Sequence, residues 1–303
     1  MTIIKPKKLK KNDTIGILAV SGRIKEIENI EKAKKFLEKE GYNVKVSDTC
    51  YNSHRYMAGN SDDECIKEFH KFFLDKSIDA ILCARGGYGT LRLINKIDWN
   101  IVKDNPKIFA GYSDITILLA MMYKKCSLVT FHSAMANGDF ACDIEEYTKN
   151  SFFDALEGKT VKITAENVKT YKEGEAEGIL WGGNLSSLVS LCGIDFIPEE
   201  NIILFLEDLN EPVYKIDKML TQLFNIDKLK RNVKGIVLGE FKNIDDIDWF
   251  DSLIEEFSLR LNIPISSGYK ITHNKVKDTI PYGVKVIYNT LQGKINIREE
   301  YVK

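Results

Sequence analysis

Three short stretches of the chain hold residues able to carry out acyl-transfer chemistry. They are Gly111-Tyr-Ser-Asp114, Leu206-Glu-Asp208, and the segment with His273 ahead of Pro281-Tyr-Gly283. A hydroxyl is a poor nucleophile at neutral pH unless an imidazole takes its proton, and the imidazole works best when a carboxylate fixes its tautomer and stabilises its charged form. Ser113, Glu207 and His273 are candidates for nucleophile, acid and base in that scheme. Their order along the chain is one of several that unrelated serine hydrolases use, so order alone names no fold. Each also has a structural reading: Ser113 and Asp114 as a helix cap, Glu207 as an exposed acidic turn, His273 as a surface loop residue. Among the other histidines, His70 falls within a helical stretch, His54 in a polar loop, and His132 at the end of a predicted strand.

Such residues need a frame that holds them in place. The first half of the chain alternates short apolar runs with amphipathic stretches, predicting strands at 15–20, 44–46, 78–83 and 108–110 and helices at 27–37, 65–73 and 115–123. Regular β-then-α alternation predicts an α/β domain with a parallel sheet, flavodoxin- or Rossmann-like, and helices on both faces. Ligands gather outside the carboxyl ends of the strands in such sheets. Ser113 follows the strand at 108–110 and precedes a helix, the placement of a nucleophile elbow, so that the backbone N–H of Asp114 points toward the same space. Ile115 stands where the usual Gly-x-Ser-x-Gly pattern has its second glycine. The turn Arg85-Gly-Gly-Tyr-Gly89 lies at another strand end and allows a ligand to approach the backbone closely. A second oxyanion donor at Gly87 is one reading of it; phosphate binding and a plain tight turn are the others. Neither Gly-x-Gly-x-x-Gly nor a following Gly-Lys-Ser/Thr is present.

A chain of 303 residues exceeds the size at which single cores stop growing. Two domains are expected: residues 1–157 bearing the nucleophile, a polar connection at 158–177, and a mixed α and β domain at 178–303 supplying acid and base. The 43 basic and 44 acidic residues are interspersed and leave a net charge of -1. That balance gives no electrostatic footprint for nucleic acid or an anionic membrane, and fits a small uncharged or zwitterionic partner. No apolar stretch is long enough to span a bilayer, and the start lacks the apolar segment of a signal peptide, so a cytoplasmic location is expected. The six cysteines are widely spaced and read as buried free thiols. No His-Glu-x-x-His or paired Cys/His spacing occurs, so no metal or other cofactor is expected.

Taken together, the motifs resemble the LD-carboxypeptidase family of serine peptidases, which includes muramoyltetrapeptide carboxypeptidases and microcin C immunity proteins. The resemblance runs over nearly the whole chain. It rests on Tyr56-Met-Ala-Gly59, Arg85-Gly-Gly-Tyr-Gly89, Gly111-Tyr-Ser-Asp114, Gly182-Gly-Asn184, Leu206-Glu-Asp208 with Glu211-Pro212 and Tyr214-Lys-Ile-Asp217, and His273 with Pro281-Tyr-Gly283. It implies a Ser113, Glu207, His273 triad, an oxyanion hole from the N–H groups of Asp114 and Gly87, a substrate cleft between domains, and a homodimer. Arg85 is a candidate for the substrate's terminal carboxylate or a solvated charge. The implied activity is hydrolysis of the bond before a C-terminal D-alanine of cytoplasmic muropeptides in cell-wall recycling. Alternatives are a microcin C-type peptide or aminoacyl-nucleotide amidase and a muropeptide-binding module without chemistry. The chain departs from the family's pattern at Ser133-Ala-Met135, at Thr272 before His273, and at Ser21-Gly-Arg23.

Overall fold

The computed structural model describes residues 2–303, which divide into two compact units. The first holds residues up to Thr160 together with Thr279–Pro281 and Tyr301–Lys303; the second holds Val161–Asp278 and Tyr282–Glu300.

The first unit is built on β1 (Thr14–Leu18), β2 (Asn43–Val46), β3 (Ala80–Cys83), β4 (Ile108–Gly111) and β5 (Thr130–His132). They lie in the order β5-β4-β3-β1-β2, with the late strand Ile280–Tyr282 outside β5. All four pairings among β1 to β5 are parallel. Strands covered on both faces read as continuous apolar runs, and every residue of β3 and β4 is buried accordingly. The helix Thr116–Cys126 after β4 is buried along nearly its whole length, with only Lys124 and Lys125 reaching outward. A helix apolar on all sides must sit inside the unit, and it forms a rigid base for the turn ahead of it. The helix Asp62–Leu74 begins with Ser61 accepting the N–H of Glu64, whose carboxylate accepts the N–H of Asn60; one donor left over by the helix start and one just ahead of the cap are thereby satisfied.

The second unit carries an eight-stranded mixed sheet. Its strands are β6 (Ile163–Thr164), β7 (Lys169–Lys172), β8 (Glu175–Asn184), β9 (Ile202–Leu209), β10 (Val233–Lys242), β11 (Ile265–Ser267), β12 (Lys285–Asn289) and β13 (Lys294–Ile297). The order is β6-β13-β12-β8-β9-β10-β11-β7, in which β8 to β11 run parallel and the flanking pairs antiparallel. The helix Val213–Phe224 turns Ile216, Leu220 and Leu223 inward at helical spacing.

Three expectations are corrected. The polar stretch 158–177, expected as a connection, instead forms β6, β7 and the start of β8 within the second unit from Val161 onward. Strands at or near a sheet edge need only one covered face, and here Ile163 is buried while Thr170 and Tyr171 are half-buried, so few apolar residues suffice. Residues 279–281 and 301–303 belong to the first unit although they lie at the far end of the chain. Of the cysteines, Cys50, Cys65, Cys83 and Cys126 are buried, whereas Cys142 is exposed and Cys192 half-buried; all six are free. Burial pushes the thiols of Cys65 and Cys126 up to about 12, as expected of inert core residues.

Candidate active site

Ser113 stands where β4 ends and the chain turns toward the helix Thr116–Cys126, with a 3-10 turn at Ser113–Ile115 between them. Its φ is +64°, in the left-handed region that non-glycine residues rarely occupy. A strand, a sharp turn with a strained residue, and a helix make up the geometry of a nucleophile elbow. The neighbouring glycine turn closes on the same spot. A Cβ placed on Gly86 would lie 2.8 Å from Ser113 Cβ, 2.9 Å from its Oγ and 3.4 Å from the backbone nitrogen of Asp114. Only a glycine allows this approach. Gly87 follows at φ +121°, again a conformation that favours glycine.

Asp114 plays two parts that the sequence does not separate. Its backbone N–H is beside Ser113, while its buried carboxylate accepts from Ser21 Oγ at 2.5 Å and from the Thr90 N–H at 3.1 Å. Thr90 Oγ1 donates to the Asp114 carbonyl at 2.8 Å. The carboxylate therefore ties the end of the β1 segment and the start of the helix Thr90–Leu93 to the elbow. Burial raises its pKa, opposed by these hydrogen bonds. The Arg85 guanidinium donates from Nε to the Gly86 carbonyl at 3.1 Å and from Nη1 to the Arg23 carbonyl at 2.8 Å. Part of its donor set is thus spent on holding the glycine turn against the 21–23 loop, where the Gly22 N–H also reaches the Gly86 carbonyl.

In the second unit, Glu207 and His273 meet. His273 Nδ1 lies 2.7 Å from Glu207 Oε2; the glutamate side chain is fully buried and the histidine 12% exposed. An ionised carboxylate only accepts, so Nδ1 carries the proton and Nε2 is the basic nitrogen. Glu207 is not in a loop. It lies within β9, paired with Asn184 of β8, and the register against β10 shifts between Leu206 and Asp208. Every residue of β9 from Ile202 to Asp208 is buried, so the strand is covered on both faces and a carboxylate within it is buried whichever way it points. The next residue, Asp208, accepts from Asn184 Nδ2 at 2.9 Å, the Ser186 N–H at 2.8 Å and the Leu209 N–H at 2.9 Å. Burial first, and the Glu207 charge after it, push Asp208 up to about 6.

His273 lies on a loop that runs past the end of β10. A Cβ on Gly239 would come 2.2 Å from the Ile271 carbonyl oxygen, and the Glu240 N–H donates to that same carbonyl at 2.9 Å. A cavity of about 890 Å³ opens on this side of the unit, lined by Tyr171, Phe250 and Tyr269 with Glu240, Thr272 and Asn274 in its wall. Among the expected site residues, the structure gathers Ser113, Asp114, Gly87 and Arg85 in the first unit, and Glu207 with His273 in the second. Sequence reasoning did not find Gly86, Ser21, Thr90 or Glu240. Gly86 lies within a motif already noted and Ser21 within a stretch noted only for departing from the family's pattern; Thr90 and Glu240 give no local signal. His132, which ends β5, is buried and its ring lies 5.9 Å from that of Tyr112. Among the described residues no group of three His, Cys, Asp or Glu is gathered to hold a metal ion, and no helix is long and apolar enough to cross a membrane.

Comparison with known proteins gives matches along the whole chain. Residues 15–133 match the LD-carboxypeptidase N-terminal domain and residues 177–287 the LD-carboxypeptidase C-terminal domain. The chain is 36% identical over 297 residues to the probable murein peptide carboxypeptidase of Bacillus subtilis, covering 95% of this chain and 92% of that one. Its structure is similar to that of the muramoyltetrapeptide carboxypeptidase from Oxalobacter formigenes, with a TM-score of 0.84 at 28% identity over 96% of this chain and 100% of that one. The microcin C7 self immunity protein MccF, solved in complex with aspartyl sulfamoyl adenosine, shares the fold with a TM-score of 0.90 at 24% identity, covering 99% of this chain and 100% of that one.

Proposed function

Because the chain belongs to the LD-carboxypeptidase family, matching both of its domains, we propose that it is a serine carboxypeptidase that releases the C-terminal D-alanine of muropeptides returned to the cytoplasm. Ser113 Oγ attacks the carbonyl carbon of the L,D-amide and His273 Nε2 takes its proton. The oxyanion accepts from the N–H groups of Asp114 and Gly87, each worth about 3 to 4 kcal/mol in the transition state. Collapse breaks the C–N bond, and the leaving amine of D-alanine takes the proton from His273. Water, deprotonated by the same imidazole, then cleaves the Ser113 ester and frees the shortened peptide. Glu207 accepts a hydrogen bond from Nδ1–H throughout, holding the tautomer and stabilising the imidazolium. The two carbonyl contacts of Arg85 support a role in holding the glycine turn rather than in binding substrate.

The observation that carries this reading is the 2.7 Å pairing of His273 with a fully buried Glu207. A buried carboxylate is costly unless paired, and a loop histidine set against one is the arrangement of an oriented base. The 36% identity to the probable murein peptide carboxypeptidase of Bacillus subtilis favours a muropeptide over a peptidyl nucleotide. Offering the protein a muropeptide tetrapeptide ending in D-alanine, the same peptide ending in L-alanine, and an aminoacyl sulfamoyl adenosine tests the assignment. Free D-alanine from the first alone is expected. Cleavage confined to the adenosine compound would move the chain to the immunity-type activity, and tight binding without turnover of any of the three would make it a binding module.

A further inference from the structure

A loop histidine can act as an oriented base only if its backbone is fixed, and here the fixing groups lie on both sides of it. Thr272 Oγ1 donates to Glu240 Oε2, and Asn274 Nδ2 donates to that same oxygen at 2.5 Å. The Asn274 N–H donates in turn to Thr272 Oγ1 at 2.9 Å, and Lys242 Nζ reaches Asn274 Oδ1 at 2.5 Å. One carboxylate at the end of β10 thus grips the residues immediately before and after His273, while its own backbone N–H holds Ile271.

We propose that Glu240 is a positioning residue, a clamp that sets the His273 ring against Glu207 without touching substrate. This rests on the assignment of His273 as the base. Glu207 fixes the tautomer of the imidazole, and the position of the loop that carries it sets where the ring stands against that carboxylate. Holding the Ile271 carbonyl and the side chains of Thr272 and Asn274 fixes the loop on both sides of the ring and aims Nε2. The demand is steep, because a misplacement of about 1 Å costs an oriented catalytic group about 100-fold. Half-buried and in the wall of the 890 Å³ cavity, Glu240 is not a packing residue of the core.

The test compares the wild type with Glu240→Ala and Glu240→Gln, reading the His273 Nδ1 proton by NMR alongside kcat, KM and thermal stability. In Glu240→Ala the Nδ1 proton signal is expected to broaden or move upfield, with kcat down about 10- to 100-fold and KM within about threefold. Glu240→Gln keeps an oxygen able to accept from both Thr272 and Asn274, and is expected to restore most of the signal and of kcat. A folded Glu240→Ala with the wild-type Nδ1 signal and kcat would overturn the clamp. Should Glu240→Ala fail to fold, Thr272→Val removes one arm and is read the same way. Failure of the base assignment is seen separately: activity retained by His273→Ala rejects that role, while the ring signal still judges the clamp.

Discussion

Ser113 is held at φ +64°, a conformation costing a non-glycine residue about 1 to 3 kcal/mol, which persists only where the surroundings over-determine it. The surroundings here are the buried Asp114 carboxylate beneath it and Gly86 pressed against its side chain. Gly86→Ala puts a methyl group 2.8 Å from Ser113 Cβ and 2.9 Å from its Oγ, closer than van der Waals contact allows, so one of the two must move. The expected outcome is a fall in kcat of about 100-fold with little change in melting temperature, measured on the D-alanine-ended tetrapeptide. Asp208 supplies a pH signature. Its folded pKa of about 6 lies above the ordinary carboxylate range, so between roughly pH 4 and 6 the unfolded chain releases a proton that the folded chain keeps. This group's contribution to stability therefore falls as pH rises through that window. Denaturation midpoints at pH 4.5 and 6.5 are expected to show that slope in the wild type and to lose it in Asp208→Asn.

The elements around the site were legible in the sequence to different degrees. The β4–turn–helix unit around Ser113 could be read directly, because an apolar strand, two turn residues and an apolar helix leave few alternatives. The acidic pair Glu207-Asp208 suggests an exposed turn, yet β9 continues through it to Leu209 and buries both carboxylates. Periodicity could not show this, since the shift in register against β10 depends on a strand distant in sequence. The same holds for Glu240, whose partners Thr272 and Asn274 are some thirty residues away, and for β6 and β7, where polar composition hides strands that need to cover one face only. Gly239 marks where β10 and the His273 loop touch. Replacing it with alanine drives a Cβ into the Ile271 carbonyl, and the expected cost is about 1 to 3 kcal/mol of stability by denaturant titration, since neither backbone can retreat without breaking its own hydrogen bonds.

Across the whole molecule, the candidate residues divide between units that fold around separate sheets: the hydroxyl and its backbone donors in the first, the acid and base in the second. Their grouping by motif order was readable because the family resemblance spans both halves, whereas residues 279–281 and 301–303 rejoin the first unit for reasons of pairing that no local pattern records. The homodimer implied by that resemblance is expected to appear as a species of twice the 34.6 kDa chain mass in sedimentation; a monomer at micromolar concentration would remove it from the account. Every step of the proposed hydrolysis depends on Ser113 as the nucleophile. Its most direct test is the rate of D-alanine release by the wild type beside Ser113→Ala, with matched melting temperatures. A loss of at least about 1,000-fold in kcat is expected for the variant; equal rates for the two proteins would rule Ser113 out as the nucleophile.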